Sequence, residues 1–175
     1  PYLVMEHLEG ESLLARIKLR GRLSPLEALE HMKDVLACLS AVHAKGIIHR
    51  DLKPANLFVA RDEEGGERIK ILDFGISRVT MDSGSAPLTL PGMVLGTPRY
   101  MAPEQARSER DIDERADLYS VGAILYHASS GVKPYESHSK NELLVAVVQG
   151  PPRPYAEVAP PAHPELIDLV ERSMH

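Results

Sequence analysis

His49-Arg50-Asp51-Leu52-Lys53-Pro54-Ala55-Asn56 decides how this chain is built. Within one tight loop of eight residues it gathers a carboxylate, an ammonium group and a side-chain amide. A carboxylate can take or orient the proton of a hydroxyl, and a cation can offset charge on a group in transfer. Carboxylate and amide oxygens suit a hard divalent ion. Exposed loops commonly contain Asp and Asn, so the octet alone does not separate a site from a solvated loop. The residues downstream separate them. Asp73-Phe74-Gly75 begins seventeen residues after Asn56, beyond two strand-like runs, Leu57 to Ala60 and Ile69 to Leu72, joined by the turn-forming RDEEGGER. A hairpin there sets the two acidic motifs on adjacent strand ends.

Working outward, Pro1 to Glu6 has the weak alternation of a partly buried strand, and Leu8 to Gly10 leads into a short helix over Ser12 to Lys18. Ser24, Pro25 and Glu27 supply an N-cap, an N1 proline and a capping-box glutamate. They start a long helix whose expected core stripe is Leu29, Met32, Leu36, Leu39 and Val42, ended by Gly46. Residues 77–98 are rich in Ser, Thr, Gly and Pro without period, a long loop of the functional sort. Asp117 to Gly131 is a strongly apolar helix, with Leu118, Val121, Ala123, Ile124, Leu125 and Ala128 expected in the core. Asn141 to Gln149 forms another helix. The proline-rich Gly150 to Pro164 is expected to run extended over the surface before Glu165 to Met174 resumes a helical pattern. The fold class is α+β, mainly α: a helical body with a small β-hairpin carrying the motifs.

The octet resembles the catalytic loop of protein kinases, matching the signature H-R-D-L-x-x-x-N at every specified position. Asp73-Phe74-Gly75 resembles their Mg2+ motif. Gly96-Thr97-Pro98-Arg99-Tyr100-Met101-Ala102-Pro103-Glu104 resembles the substrate-docking loop and A-P-E end of their activation segment. The motifs stand in the family's order and the match runs from Tyr2 to the end. The chain is thus similar to eukaryotic-like (Hanks-type) serine/threonine protein kinases, in a bacterial style given GTPRYMAPEQ and Tyr119.

That resemblance implies roles. Asp51 is the catalytic base, Lys53 contacts the γ-phosphate of ATP, and Asn56 and Asp73 bind Mg2+, or Mn2+ in its place. The Glu6 carbonyl and Leu8 amide meet adenine beside a gatekeeper Met5, with Phe58 as apolar floor. Thr97 bonding Lys53 and Asp51, together with Lys53-Pro54, implies protein substrates with Ser/Thr acceptors. Arg50 marks kinases whose activation loop is ordered by phosphorylation, and Thr89 is the first choice of acceptor ahead of Thr80, Ser83 and Ser85. His49 and Phe74 match packing positions. Glu104 matches an ion-pairing glutamate for which Arg172 is not a convincing partner. Asp117 matches a buried helix aspartate that binds the catalytic-loop backbone, while Asp113 reads equally well as a helix-start acid.

Nothing resembles the glycine-rich phosphate loop, the V-A-I-K lysine or its helix glutamate. Lys18 and Lys33 lie in helix patterns and do not replace them. The chain opens in a strand-like run without an initiator Met and stops within an amphipathic pattern, so both ends read as cuts. Residues 1–175 are therefore expected to be a partial kinase domain, with hinge 1–10, C-terminal lobe 11–175 and activation segment 73–104. It would need an N-terminal lobe in cis and have little activity alone. The alternative is a pseudokinase or truncated scaffold that binds partners through the lower lobe. A small-molecule phosphotransferase is disfavoured by the A-P-E segment.

Composition narrows the class. With 175 residues, 43% hydrophobic and 26% charged, one globular domain is expected. A net charge of −5 without a basic stripe argues against nucleic-acid partners. No apolar run approaches the ~20 residues that span a bilayer. The single Cys38, placed on the apolar helix face, reads as a small buried hydrophobe. A cytoplasmic setting fits, and is compatible with a parent anchored to a membrane elsewhere.

Overall fold

The computed structural model describes residues 6–62, 65–73 and 98–175. Expectations for Met5, Phe74, Thr80, Ser83, Ser85, Thr89 and Thr97 lie outside the described residues, as does the strand expected over Pro1 to Glu6 except for Glu6 itself.

Helix α1 spans Leu13–Arg20 and is capped by Ser12, whose Oγ accepts the Ala15 N–H at 3.2 Å. Helix α2 runs Pro25–His43 in the same way: Ser24 Oγ accepts the Glu27 N–H at 3.2 Å and Pro25 occupies the first turn. Its buried face is Ala28, Met32, Val35 and Leu39, with Leu29 and Val42 packed at the margin. Leu36, expected inside, is 42% exposed. One residue of helix is a turn of about 100°, and Val35 holds the inward position instead. Cys38 lies at the margin and is only partly buried, not buried as expected.

Three antiparallel strands form one sheet in the order β1 (Gly10–Ser12), β2 (Leu57–Arg61), β3 (Glu67–Ile71). Leu57 pairs with Ile71 and Gly10 with Ala60. The hairpin matches the sequence expectation. Strand β1 does not appear in it, since three residues are too few to show a period. Gly10 is required there: its φ is 144° and a Cβ would stand 2.0 Å from the Val59 carbonyl oxygen. Arg16 of α1 ties the helix to both outer strands. It is buried, grips both oxygens of Glu67 at 2.6 and 2.7 Å and places Nε 2.9 Å from Glu11. Hydrogen bonding to Glu67 raises the Arg16 pKa against the opposing effect of burial, and the same bond holds Glu67 below the usual carboxylate range.

The body is completed by α3 (Pro103–Ala106), α4 (Arg115–Ser130), α5 (Lys140–Gln149), α6 (Tyr155–Val158) and α7 (Pro164–Ser173). Helix α4 is central, packed between α2 and α7. Ala123, Ile124 and Ala128 are fully buried, and each larger apolar side chain removed from water contributes roughly 1.5–3 kcal/mol. Leu118 departs from expectation at 42% exposed, because Ala116, Asp117 and Tyr119 take the inward positions of that turn. The proline-rich stretch is not simply extended and superficial. It holds α6, whose Tyr155 is buried with its hydroxyl 2.7 Å from Ser129 Oγ. Among the described residues no helix is long and apolar enough to cross a membrane.

Candidate active site

The catalytic-loop backbone is fixed from below by one side chain. Asp117, in the first turn of α4, is fully buried. Its Oδ2 accepts the His49 N–H at 2.8 Å, its Oδ1 accepts the Arg50 N–H at 2.9 Å, and His43 Nε2 stands 2.8 Å from Oδ2. A buried carboxylate is stable only with such donors around it. Between them Arg50 adopts φ 64°, a left-handed conformation that costs a non-glycine residue about 1–2 kcal/mol. The tightly held neighbouring peptides keep it there.

His49 is fully buried and joins the loop to the hairpin. Its Nδ1 accepts the Asp51 N–H at 3.3 Å, so Nε2 carries the proton and donates to the Leu72 carbonyl at 3.2 Å. Pro54–Asn56 form a 3-10 turn that delivers the chain into β2. The Leu72 N–H donates to the Asn56 carbonyl at 2.8 Å, which fastens the end of β3 to the end of the loop and leaves Asp73 one residue away. Asp73 is exposed at φ 51°, a conformation Asp tolerates better than most residues.

At the loop's mouth Lys53 Nζ lies 2.6 Å from Asp51 Oδ2. Asn56 Nδ2 donates to the Asp51 carbonyl at 3.0 Å and lies 3.5 Å from Oδ2. The Asp51 side chain stays about one-third exposed, open to a substrate. Among the described residues no three His, Cys, Asp or Glu side chains gather into a metal cage. The loop and hairpin end instead offer the carboxylates of Asp51 and Asp73 and the amide of Asn56. Nδ2 of that amide is spent on Asp51, so a cation would be met by its Oδ1. A sparse all-oxygen set fits Mg2+, which keeps water and phosphate oxygens among its ligands.

Phe58 lies half-buried on β2 opposite Lys70, so both side chains share one face of the sheet, and Lys70 Nζ reaches Glu6 at 3.2 Å. Leu8, two residues after Glu6, is half-buried. Arg50 Nε is buried and has no hydrogen-bond partner among the described residues. Glu104 is half-buried in α3 and makes no ion pair among the described residues, while Arg172 pairs with Asp168 at 2.5 Å. Asp113 is spent locally, accepting the Arg115 N–H at 3.0 Å and its guanidinium at 2.7 Å.

Two contributors carry no signal that sequence reasoning picks out. His43 is the last residue of α2 and takes its meaning only from Asp117, 74 positions away. Gln105, directly after Glu104, is buried and donates through Nε2 to the Arg50 carbonyl at 2.9 Å.

The model of the protein kinase domain family matches residues 1–174. This chain belongs to the protein kinase family. The kinase chain is 38% identical over 177 residues to the serine/threonine-protein kinase Pkn1 of Myxococcus xanthus, an alignment that covers 99% of this chain and 24% of that protein. It is 35% identical over 174 residues to the serine/threonine-protein kinase PknB of Mycolicibacterium smegmatis, covering 99% and 27%. It is 41% identical over 139 residues to the serine/threonine-protein kinase pkn3 of Myxococcus xanthus, covering 79% and 25%. The kinase chain thus spans about a quarter of the length of these relatives. Protein kinases as a family work on ATP with divalent cations, and the donor set at Asp51, Asn56 and Asp73 is chemically suited to that pair.

Proposed function

We propose that this kinase domain transfers the γ-phosphoryl group of ATP to serine and threonine hydroxyls of proteins, with Asp51 receiving or orienting the hydroxyl proton. The 2.6 Å contact between Lys53 Nζ and Asp51 Oδ2, on a loop held by Asp117, supports this most strongly. Bound ATP and its Mg2+ supply the phosphoryl donor and the charge neutralisation that the side chains lack. Lys53 holds one carboxylate oxygen of Asp51 and leaves the other for the acceptor alcohol, while its charge offsets that of the moving group. Asn56 and Asp73 are the proposed cation ligands. The Glu6 carbonyl, the Leu8 amide and Phe58 receive adenine. By its likeness to the family's motif, Thr97 is assigned with Lys53 to the choice of aliphatic hydroxyls, in keeping with the names of the aligned relatives.

Regulation in this reading runs through Arg50 and a phosphorylated Thr89. The Nε of Arg50, buried and without a partner among the described residues, is in keeping with a guanidinium awaiting an anion. His49 and Phe74 are read as packing residues and Glu104 as a structural acid. The chain is proposed to be the lower, helical half of the catalytic domain. No stretch of it resembles the glycine-rich loop, the V-A-I-K lysine or the helix glutamate that kinases place above ATP. Activity then needs those parts in the same polypeptide, and the cytoplasm, where ATP is supplied, is the proposed setting.

The test is phosphate transfer to Ser/Thr peptides by the intact parent kinase, by its Asp51→Asn variant and by the 175-residue chain alone. The variant is expected to lose roughly 10²- to 10⁴-fold in rate, as removal of a proton-handling group does. The chain alone should give no turnover above that variant. A parent that binds ATP yet transfers nothing would establish the scaffold alternative, and transfer that survives Asp51→Asn would refute the role of Asp51.

A further inference from the structure

We propose that Gln105 is a positioning residue for Asp51, coupling the start of α3 to the catalytic loop; this rests on Asp51 being the residue that handles the acceptor's proton. Gln105 is 7% exposed and uses both ends of its amide. Oε1 accepts the Ala102 N–H at 3.2 Å, and Nε2 donates to the Arg50 carbonyl at 2.9 Å. The Arg50 carbonyl and the Asp51 N–H belong to one peptide plane. Gln105 holds the oxygen of that plane, and His49 Nδ1 holds its N–H at 3.3 Å. The plane that carries Asp51 is therefore held at both edges. It needs such restraint, because Arg50 before it sits at φ 64°, where a non-glycine backbone readily relaxes.

The ordinary explanation is helix capping. Gln105 is the third residue of α3, and a glutamine there commonly reaches back to the N-cap amide. Capping accounts for the bond to Ala102. It does not account for the other end of the amide, which crosses 55 positions to a carbonyl adjoining Asp51. The same side chain thus links the segment ending at Ala102, the one that resembles a substrate-docking loop, to the residue that would handle the acceptor's proton. A shift of Ala102 on docking is felt at the Asp51 peptide through two hydrogen bonds.

Two variants of the intact parent kinase separate the roles. Gln105→Glu keeps the acceptor for Ala102 but faces the Arg50 carbonyl with a carboxylate, which repels it. Gln105→Met keeps the volume and removes both bonds. On the proposal, kcat per folded molecule falls about ten-fold or more in both, with the KM for ATP unchanged. The ratio of Gln105→Glu to wild type climbs back between pH 8 and pH 6, because a protonated buried carboxyl can donate to the Arg50 carbonyl. The neighbouring Asp51, Glu104 and Arg50 are common to both proteins, so the ratio isolates the change at position 105. Gln105→Met shows no such recovery. Thermal melts report the folded fraction, and Gln105→Glu with its pH ratio carries the test should Gln105→Met fold poorly. Pure capping gives lowered melting temperatures with wild-type kcat in folded molecules, which overturns the proposal. Asp51→Asn is measured alongside. Wild-type activity that depends on Asp51, with full kcat in both variants, overturns the role of Gln105 alone. Wild-type activity indifferent to Asp51→Asn overturns both readings.

Discussion

His43 Nε2 and Asp117 Oδ2 stand 2.8 Å apart beneath the catalytic loop, on the same oxygen that accepts the His49 amide. The last residue of α2 and the first turn of α4 thereby meet at the group that shapes the loop between them. Asp117 is shared three ways, and its burial makes each partner depend on it.

Replacing Asp117 by Ala removes the acceptor from two backbone N–H groups and from His43. Unpaired buried donors cost about 1–3 kcal/mol each, so a loss of roughly 2–5 kcal/mol is expected in urea denaturation. Arg50 would be released from its left-handed conformation, and activity of the parent should fall with it. A loss below about 0.5 kcal/mol, the scale of an ordinary surface substitution, would mean that the loop is held by something else.

His127, ten residues along α4 from Asp117, gives the domain an acid-sensitive point. It is buried, with Nδ1 2.8 Å from the Tyr100 hydroxyl. Burial raises the Tyr100 pKa and keeps its hydroxyl protonated, so it can donate to Nδ1 of a neutral ring. Burial first, with help from Lys133 and Arg99 and against Glu136, pushes His127 down to about 4. The unfolded histidine titrates near 6.5 and takes up a proton that the folded one refuses. Stability from this group is therefore complete above about pH 6.5 and declines as pH falls toward 4, by about 3 kcal/mol in all. His127→Gln accepts from Tyr100 without titrating. Its urea midpoint should fall less than that of wild type between pH 7 and pH 4.5, and parallel declines would contradict the assignment.

Local grammar made much of this fold legible. Ser24-Pro25 announces its helix because capping is settled within four residues, whereas Ser12, read as the first residue of its helix, is the cap. The catalytic octet is legible because its residue types are contiguous. Facing is not a local property: Leu36 and Leu118 satisfy the helical period, yet the partners across the core selected Val35 and Tyr119. Strand β1 exists because Gly10 lets the backbone approach Val59, a reason that lies in β2 and not in the strand itself. His43 and Gln105 are ordinary residues whose importance comes from partners 74 and 55 positions away.

The proposed convergence of Asn56 and Asp73 on one nucleotide-bound cation is best tested with Mn2+·ATP as a paramagnetic probe of the isotope-labelled parent kinase. The side-chain amide of Asn56 and the backbone amide of Asp73 should broaden first and together, with Asp51 close behind and α5 unaffected. Both signals staying sharp while other residues broaden at saturating Mn2+·ATP would contradict the account.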